Sequence, residues 1–206
     1  MLGVLYRILL LNYRRAQRWY WELRAPDLYR RYGAAQTDFP TVRAILARYR
    51  PASVLDLGCG TGRLFPLYIE AGIGRIEGVD ISQRALALAR RAYPRIATQR
   101  VRAEDLPADA QFDLVVVNRV FQHLPPENLA PALERTTRIA GRLIYLNEIG
   151  ESDAANLDGA RYMFKHAYPE LFAARGWRVV EQGAIPDTRQ TYLLLEPAPA
   201  RDADRV

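Results

Sequence analysis

Residues 54–63 read VLDLGCGTGR. A short apolar run ends in three alternating glycines, Gly58, Gly60 and Gly62. A glycine turn between a strand and a helix lets backbone N–H groups approach a ligand closely, and it often holds phosphate. The dinucleotide fingerprint G-x-G-x-x-G needs its third glycine where this chain has Arg63, and the Lys-Ser/Thr pair of a P-loop is absent. Asp56, two residues before Gly58, would repel a pyrophosphate. It suits a ligand that carries an amine at that end.

Outward from this turn, two periodicities alternate. Strands are predicted over 53–57, 75–79, 97–101, 113–118, 141–147, 178–183 and 191–195. Helices are predicted over 38–50, 64–71, 126–140 and 169–174, with another that Ser82 caps and Pro94 ends. Asp38 or Thr37 is the expected cap of the 38–50 helix, with Pro40 in its first turn. The continuous apolar run DLVVVN (113–118) is the kind of strand buried on both faces. The fold class that follows is α/β: a Rossmann-like, doubly wound, mostly parallel seven-stranded sheet with helices on both faces and an N-terminal helical extension. Ligands in such sheets sit beyond the carboxyl ends of the strands, where the strand order reverses. The expected organisation is a helical lid over 1–50, a ligand-binding domain over 51–196 and a disordered tail over 197–206.

The chain has 206 residues, half of them hydrophobic, enough for one domain with a sizeable core. Cys59 is its single cysteine, so no intramolecular disulfide forms, which fits a reducing cytoplasm. The net charge of +6 is uneven: residues 1–50 hold 10 Arg against 3 acidic residues, and the remainder is close to neutral. At helical spacing Leu2, Leu5, Leu9, Tyr13, Ala16, Tyr20 and Leu23 share one face, opposite Arg7, Arg14 and Arg18. That pattern fits a helix packed on the core, and also one that touches a membrane surface through residues 1–24 or an acidic substrate.

Four stretches in order resemble the class I S-adenosylmethionine-dependent methyltransferases of the small-molecule type. They are V-L-D-L-G-C-G-T-G at 54–62, I-E-G-V-D-I-S at 76–82, V-R-A-E-D-L-P at 101–107 and F-D-L-V-V-V-N-R-V-F-Q-H-L-P at 112–125. The resemblance implies S-adenosylmethionine as cofactor and S-adenosylhomocysteine as product. It implies that Asp56, Gly58, Cys59, Gly60 and Gly62 wrap the methionyl arm. Asp80 would accept from the ribose hydroxyls, Ile81 would pack on the adenine, Ala103 and Glu104 would meet the adenine edge, and Asn118 would face the transferable methyl. One position departs from the pattern. Arg102 stands where the family usually has an aspartate acceptor for the adenine amine, and arginine cannot accept a hydrogen bond. It is expected to stack on the adenine or to face solvent.

Catalytic or acceptor-contacting candidates are His123, Glu148, His166 and Tyr168. His123 follows the fourth strand and has a pKa range suited to a base. Glu148 ends the fifth strand on the ligand side. His166 and Tyr168 follow a loop expected over the same face. Two histidines far apart give no metal-ligand pattern. Asn118 and Phe121 match the ends of the Asn-Pro-Pro-Tyr/Phe signature of base amine methylation, but Arg119 and Val120 replace both prolines, against a nucleic-acid acceptor. The function that the resemblance implies is methyl transfer by in-line displacement to a small-molecule acceptor, and the basic N-terminus points to one that is acidic or membrane-associated. Alternatives are a non-catalytic cofactor-binding or partner module on the same fold, and a lipid-surface-associated methyltransferase.

Overall fold

The computed structural model describes residues 17–23, 36–107, 110–149 and 164–199. Seven strands, β1 (Ser53–Leu57), β2 (Arg75–Asp80), β3 (Ala97–Arg100), β4 (Phe112–Asn118), β5 (Ala140–Ile149), β6 (Trp177–Ala184) and β7 (Gln190–Pro197), form one sheet in the order β3-β2-β1-β4-β5-β7-β6. β1 to β5 run parallel, while β7 inserts antiparallel between β5 and β6. All strands lie within two residues of their expected bounds. Five helices follow in chain order: α1 (Phe39–Tyr49), α2 (Phe65–Glu70), α3 (Gln83–Ala92), α4 (Pro126–Ile139) and α5 (Tyr168–Ala173).

Alternate residues of a strand face opposite sides, so a sheet covered on both sides needs apolar residues throughout. β4 meets that demand. Leu114 and Val116 join Phe39 and Val42 of α1 and Leu86 of α3 in one core. Val115 and Val117 join Leu129 and Leu133 of α4 and Phe172 of α5 in the other. Each fully buried side chain of this size contributes about 1.5–3 kcal/mol relative to exposure.

Ser82 caps α3 as its sequence indicates, its hydroxyl accepting from the Ala85 N–H at 3.1 Å. Asp38 does not cap α1. It stands at the N-cap position, but its carboxylate makes no capping bond and turns to Arg63 and Asn118 instead. Two charge-assisted bonds to a guanidinium outweigh one to a backbone amide.

Residues 17–23 are helical. The expected inward face is rotated here: Gln17 is buried, whereas Leu23 is 66% exposed. Polar bonds from Gln17 and Glu22 to the domain, described below, set this orientation. The rest of the 1–24 pattern and most of the 197–206 tail lie outside the described residues.

Candidate active site

Strand order reverses between β1 and β4, and a cleft of about 760 Å³ opens there, beyond the strands' carboxyl ends. The glycine turn forms its floor. Gly58 has φ +79°, and a Cβ there would lie 2.2 Å from the Val120 side chain, so only glycine lets the turns after β1 and β4 meet. Gly60, at φ +56°, has nothing within 4 Å of its Cβ position. Its open side and its residence in the cleft lining leave room for close backbone approach by a ligand.

Asp80 ends β2 beside this turn. Its Oδ2 accepts from the Gly60 N–H at 2.9 Å and its Oδ1 from the Ser82 N–H at 2.7 Å. Burial raises its pKa, and these two donors partly offset that. Each carboxylate oxygen has a second lone pair, and Asp80 lines the cleft. Asp56 lines it too, 2% exposed, with the Tyr68 hydroxyl donating to it at 3.3 Å. Burial pushes Asp56 up to about 7, while the Arg63 guanidinium pulls the other way.

Arg63, which breaks the dinucleotide spacing, grips Asp38 through two N–H···O bonds of 2.6 Å each. Asn118, at the end of β4, donates to the same carboxylate at 2.7 Å. Burial would raise the pKa of Asp38, but Arg63 and Asn118 together hold it below the usual value.

Segment 17–23 crosses the cleft mouth. Glu22 sits at the N-terminus of α3, accepting from the Gln83 and Arg84 N–H groups at 2.9 and 3.0 Å. A carboxylate there complements the helix dipole. At the other end, Gln17 donates to the His123 carbonyl at 3.2 Å and accepts from Arg102 at 2.7 Å. Between them the Trp21 ring meets the His123 ring edge-on, centroids 4.8 Å apart.

Arg102 therefore neither stacks in the cleft nor points to solvent. Its guanidinium bonds Glu104 Oε1 at 2.8 Å and ties that residue to Gln17. Ala103 and Glu104 line the cleft, and Oε1 of Glu104 also accepts from Asn128 at 3.1 Å.

Residues 54–141 match the family model described as a methyltransferase domain. That segment, which holds the glycine turn, Asp80 and β4, is similar to the methyltransferase domains of that family. The trans-aconitate 2-methyltransferase of Azoarcus sp. (strain BH72) is 37% identical over 150 residues, which cover 71% of this chain and 56% of that protein. The malonyl-[acyl-carrier protein] O-methyltransferase of Pseudescherichia vulneris is 30% identical over 66% of this chain and 57% of its own length. The chain spans little more than half of the length of either relative. Among solved structures, the Burkholderia thailandensis 1,6-didemethyltoxoflavin-N1-methyltransferase superposes with a TM-score of 0.71 at 20% identity, covering 91% of this chain and 89% of that one.

Of the residues expected to hold a cofactor, Asp56, Gly58, Cys59, Gly60, Asp80, Ile81, Ala103, Glu104 and Asn118 all line this cleft. Gly62 does not. Its φ is +80° and a Cβ there would meet the Phe65 ring at 2.6 Å, so it serves the join between turn and α2. Cys59 is buried against Gly78, and burial pushes its thiol well up, which removes it as a nucleophile.

The catalytic candidates are dispersed. His123 alone lines the cleft. The Gln122 side chain fixes its tautomer: Gln122 Oε1 accepts from the Ile149 N–H at 3.0 Å, which turns its Nε2 to His123 Nε2 at 3.2 Å. An amide nitrogen only donates, so this ring nitrogen is the acceptor and is already engaged. Glu148 does not line the cleft. Buried at 2% exposure, it accepts from the backbone N–H groups of Val120, Phe121 and Gln122 at 2.8–3.1 Å and holds the turn after β4. Burial nevertheless pushes it up to about 8. His166 bonds the Leu124 carbonyl at 2.9 Å, and burial lowers its pKa. Tyr168 opens α5 and packs against Phe121. Both lie outside the cleft lining, because the chain reaches α5 on the α4 side of the sheet. Of the pocket-closing loop expected at about 149–168, residues 150–163 lie outside the described residues.

Sequence reasoning missed Gln17, Trp21, Arg63 and Gln190 as cleft residues. Arg63 carried a signal, standing where a third glycine would, but its partner Asp38 is 25 residues away. Among the described residues no cluster of His, Cys, Asp and Glu could hold a metal ion.

Proposed function

We propose that this protein is an S-adenosylmethionine-dependent methyltransferase whose acceptor is a small carboxylic acid. The observation that carries the cofactor assignment is the pair of carboxylates, buried Asp56 and half-buried Asp80, lining the same cleft as the glycine turn. Two such groups disfavour a pyrophosphate and suit hydroxyl and ammonium donors. Asp80, oriented by the Gly60 and Ser82 amides, would take the ribose hydroxyls. The Gly58–Gly60 backbone and Asp56 would take the methionyl end. Ile81 and Ala103 supply an apolar slot for the adenine, with segment 17–23 as its lid.

The cofactor supplies an activated methyl on a sulfonium. The residues of this chain bind, orient and exclude water, which is where the rate of an in-line displacement is won. Trp21, His123 and Leu124 line the cleft near the end of β4 with ring and apolar surface. Gln122, Gln190 and Arg119 add two amides and a cation. No carboxylate from the described residues lines this half, and the Nε2 of its histidine is engaged. A carboxylate acceptor needs no proton removed before attack, and the Arg119 guanidinium in the lining favours it. Relatives named for trans-aconitate and malonyl-acyl carrier protein support the same class.

Transfer of label from methyl-labelled S-adenosylmethionine to a panel of carboxylic acids, phenols and amines tests this. A product whose label is released by mild alkali is a methyl ester and is expected. Label stable to alkali, on nitrogen or ether oxygen, contradicts the acceptor class.

The outer face of segment 17–23 favours one addition. Trp19 and Leu23 are 68% and 66% exposed, in a region whose sequence carries 10 Arg against 3 acidic residues. Contact with an anionic lipid surface fits that face. Among the described residues no helix is long and apolar enough to cross a membrane. Co-sedimentation of the full chain with vesicles containing anionic lipid checks it, and failure to pellet removes it.

A further inference from the structure

Asp38 comes from outside every motif that marks the cleft, yet it joins two of the cleft's walls. It is fully buried, and both its oxygens are spent on residues that line the cleft. Arg63, on the glycine-turn side, donates to Oδ1 and Oδ2 at 2.6 Å each. Asn118, on the β4 side, donates to Oδ2 at 2.7 Å. Asn118 is steadied in turn by Asn147, whose side chain donates to Asn118 Oδ1 at 3.2 Å. Arg63 also lies over the Phe39 ring, 5.4 Å from its centroid, which fixes the guanidinium plane from a second side.

The charges are arranged as well as the shapes. Arg63 stands between two acids, Asp38 and Asp56, and acts on the pKa of both. Alone, Arg63 would make this end of the cleft a plain anion site and would hold Asp56 tightly. Paired with Asp38 it becomes nearly neutral, which leaves Asp56 to answer a cation. An end that offers a guanidinium edge, an amide and a carboxylate side by side matches an α-ammonium and α-carboxylate on one carbon. As a bare structural ion pair it would have little to recommend it, since buried pairs gain little net stability over apolar replacements.

We propose that Asp38 is a positioning residue for the amino-acid end of the cofactor: it locks Arg63 and Asn118 into one unit, so that the cleft prefers a nucleoside bearing an amino-acid arm over the same nucleoside without it. The assignment rests on the cofactor reading above and deepens it. Asp38 itself touches no ligand.

The test compares S-adenosylhomocysteine with 5′-methylthioadenosine, which shares the thioether nucleoside but lacks the amino-acid carbon. Titration calorimetry of the full chain is run on wild type, Asp38→Asn and Asn118→Ala. Wild type is expected to prefer S-adenosylhomocysteine at least about tenfold, the size of one charge-assisted hydrogen bond. Asp38→Asn, which is isosteric, should lose about tenfold for S-adenosylhomocysteine and less than about twofold for methylthioadenosine. Asn118→Ala leaves the Asp38–Arg63 pair intact and should show the same selective loss at about threefold, which keeps the test open if Asp38→Asn folds poorly. Equal loss for both ligands, or no loss, in the variants that fold overturns the positioning role. A wild type that binds both ligands equally overturns it too. A wild type that binds neither removes the cofactor reading itself, and this assignment with it.

Discussion

Asp80 and Glu148 are a matched pair placed at opposite ends of the cleft's neighbourhood. Each is an acid near the carboxyl end of a parallel strand, Asp80 half-buried and Glu148 buried, and each accepts from backbone N–H groups, two for Asp80 and three for Glu148. Burial raises the pKa of both. Only Asp80 lines the cleft. The difference lies in the turn each one holds. Asp80 braces an open glycine turn whose Gly60 leaves the cleft clear. Glu148 is enclosed by three successive amides of the turn after β4. A carboxylate at a strand end is thus a ligand group or a structural one according to how much backbone wraps it.

That contrast predicts a division between binding and stability. Asp80→Ala should weaken S-adenosylmethionine binding about hundredfold or more by calorimetry, the loss of two hydrogen bonds from a charged acceptor. Glu148→Ala should act oppositely. It strands three backbone donors and is expected to cost about 3 kcal/mol in urea unfolding, with the cofactor dissociation constant of the folded fraction nearly unchanged. If Glu148→Ala weakens the cofactor as much as Asp80→Ala does, the contrast fails.

The raised pKa values of Asp56 and Glu148 sharpen it further. A carboxyl whose folded pKa exceeds its unfolded value stays protonated in the native state while the unfolded chain ionises, so unfolding becomes easier as pH rises. Stability should fall between the ordinary carboxylate range and about 7 for Asp56 and about 8 for Glu148. The slope is at most about 1.4 kcal/mol per pH unit for each group. Glu148→Gln should flatten the upper part of that decline, near pH 7 to 8, when midpoints of urea unfolding are followed against pH. A wild-type stability that rises across this range contradicts the assignment. The smallest effect is in segment 17–23. Glu22→Ala removes a carboxylate from the N-terminus of α3 and should cost about 1 kcal/mol in thermal unfolding.

Much of the fold was legible because strand and helix periods alternate cleanly around residues 54–63. DLVVVN could only be a strand covered on both faces, and Ser82 could only precede a helix. The position of Asp80 at the end of a strand was legible for the same reason, while the ribose role proposed for it comes from the family resemblance. Residues whose role depends on a distant partner were not. Asp38 read as a local helix cap because sequence shows neighbours, and its partners lie 25 and 80 residues on. Arg102 was visible as a departure, but its answer is Gln17, 85 residues earlier. Strand direction placed Glu148 at the ligand end of the sheet, and the loop expected over the same face brought in His166 and Tyr168. Whether they open into the cleft or close against a turn is decided by packing between elements, which periodicity does not encode.

The central claim is that the glycine turn and its two carboxylates hold S-adenosylmethionine and not a dinucleotide. Calorimetric titration of the wild-type protein with S-adenosylmethionine and, separately, with NAD tests it most directly. Saturable one-to-one binding of S-adenosylmethionine with no heat from NAD is the predicted result, and binding of NAD without S-adenosylmethionine would contradict the account.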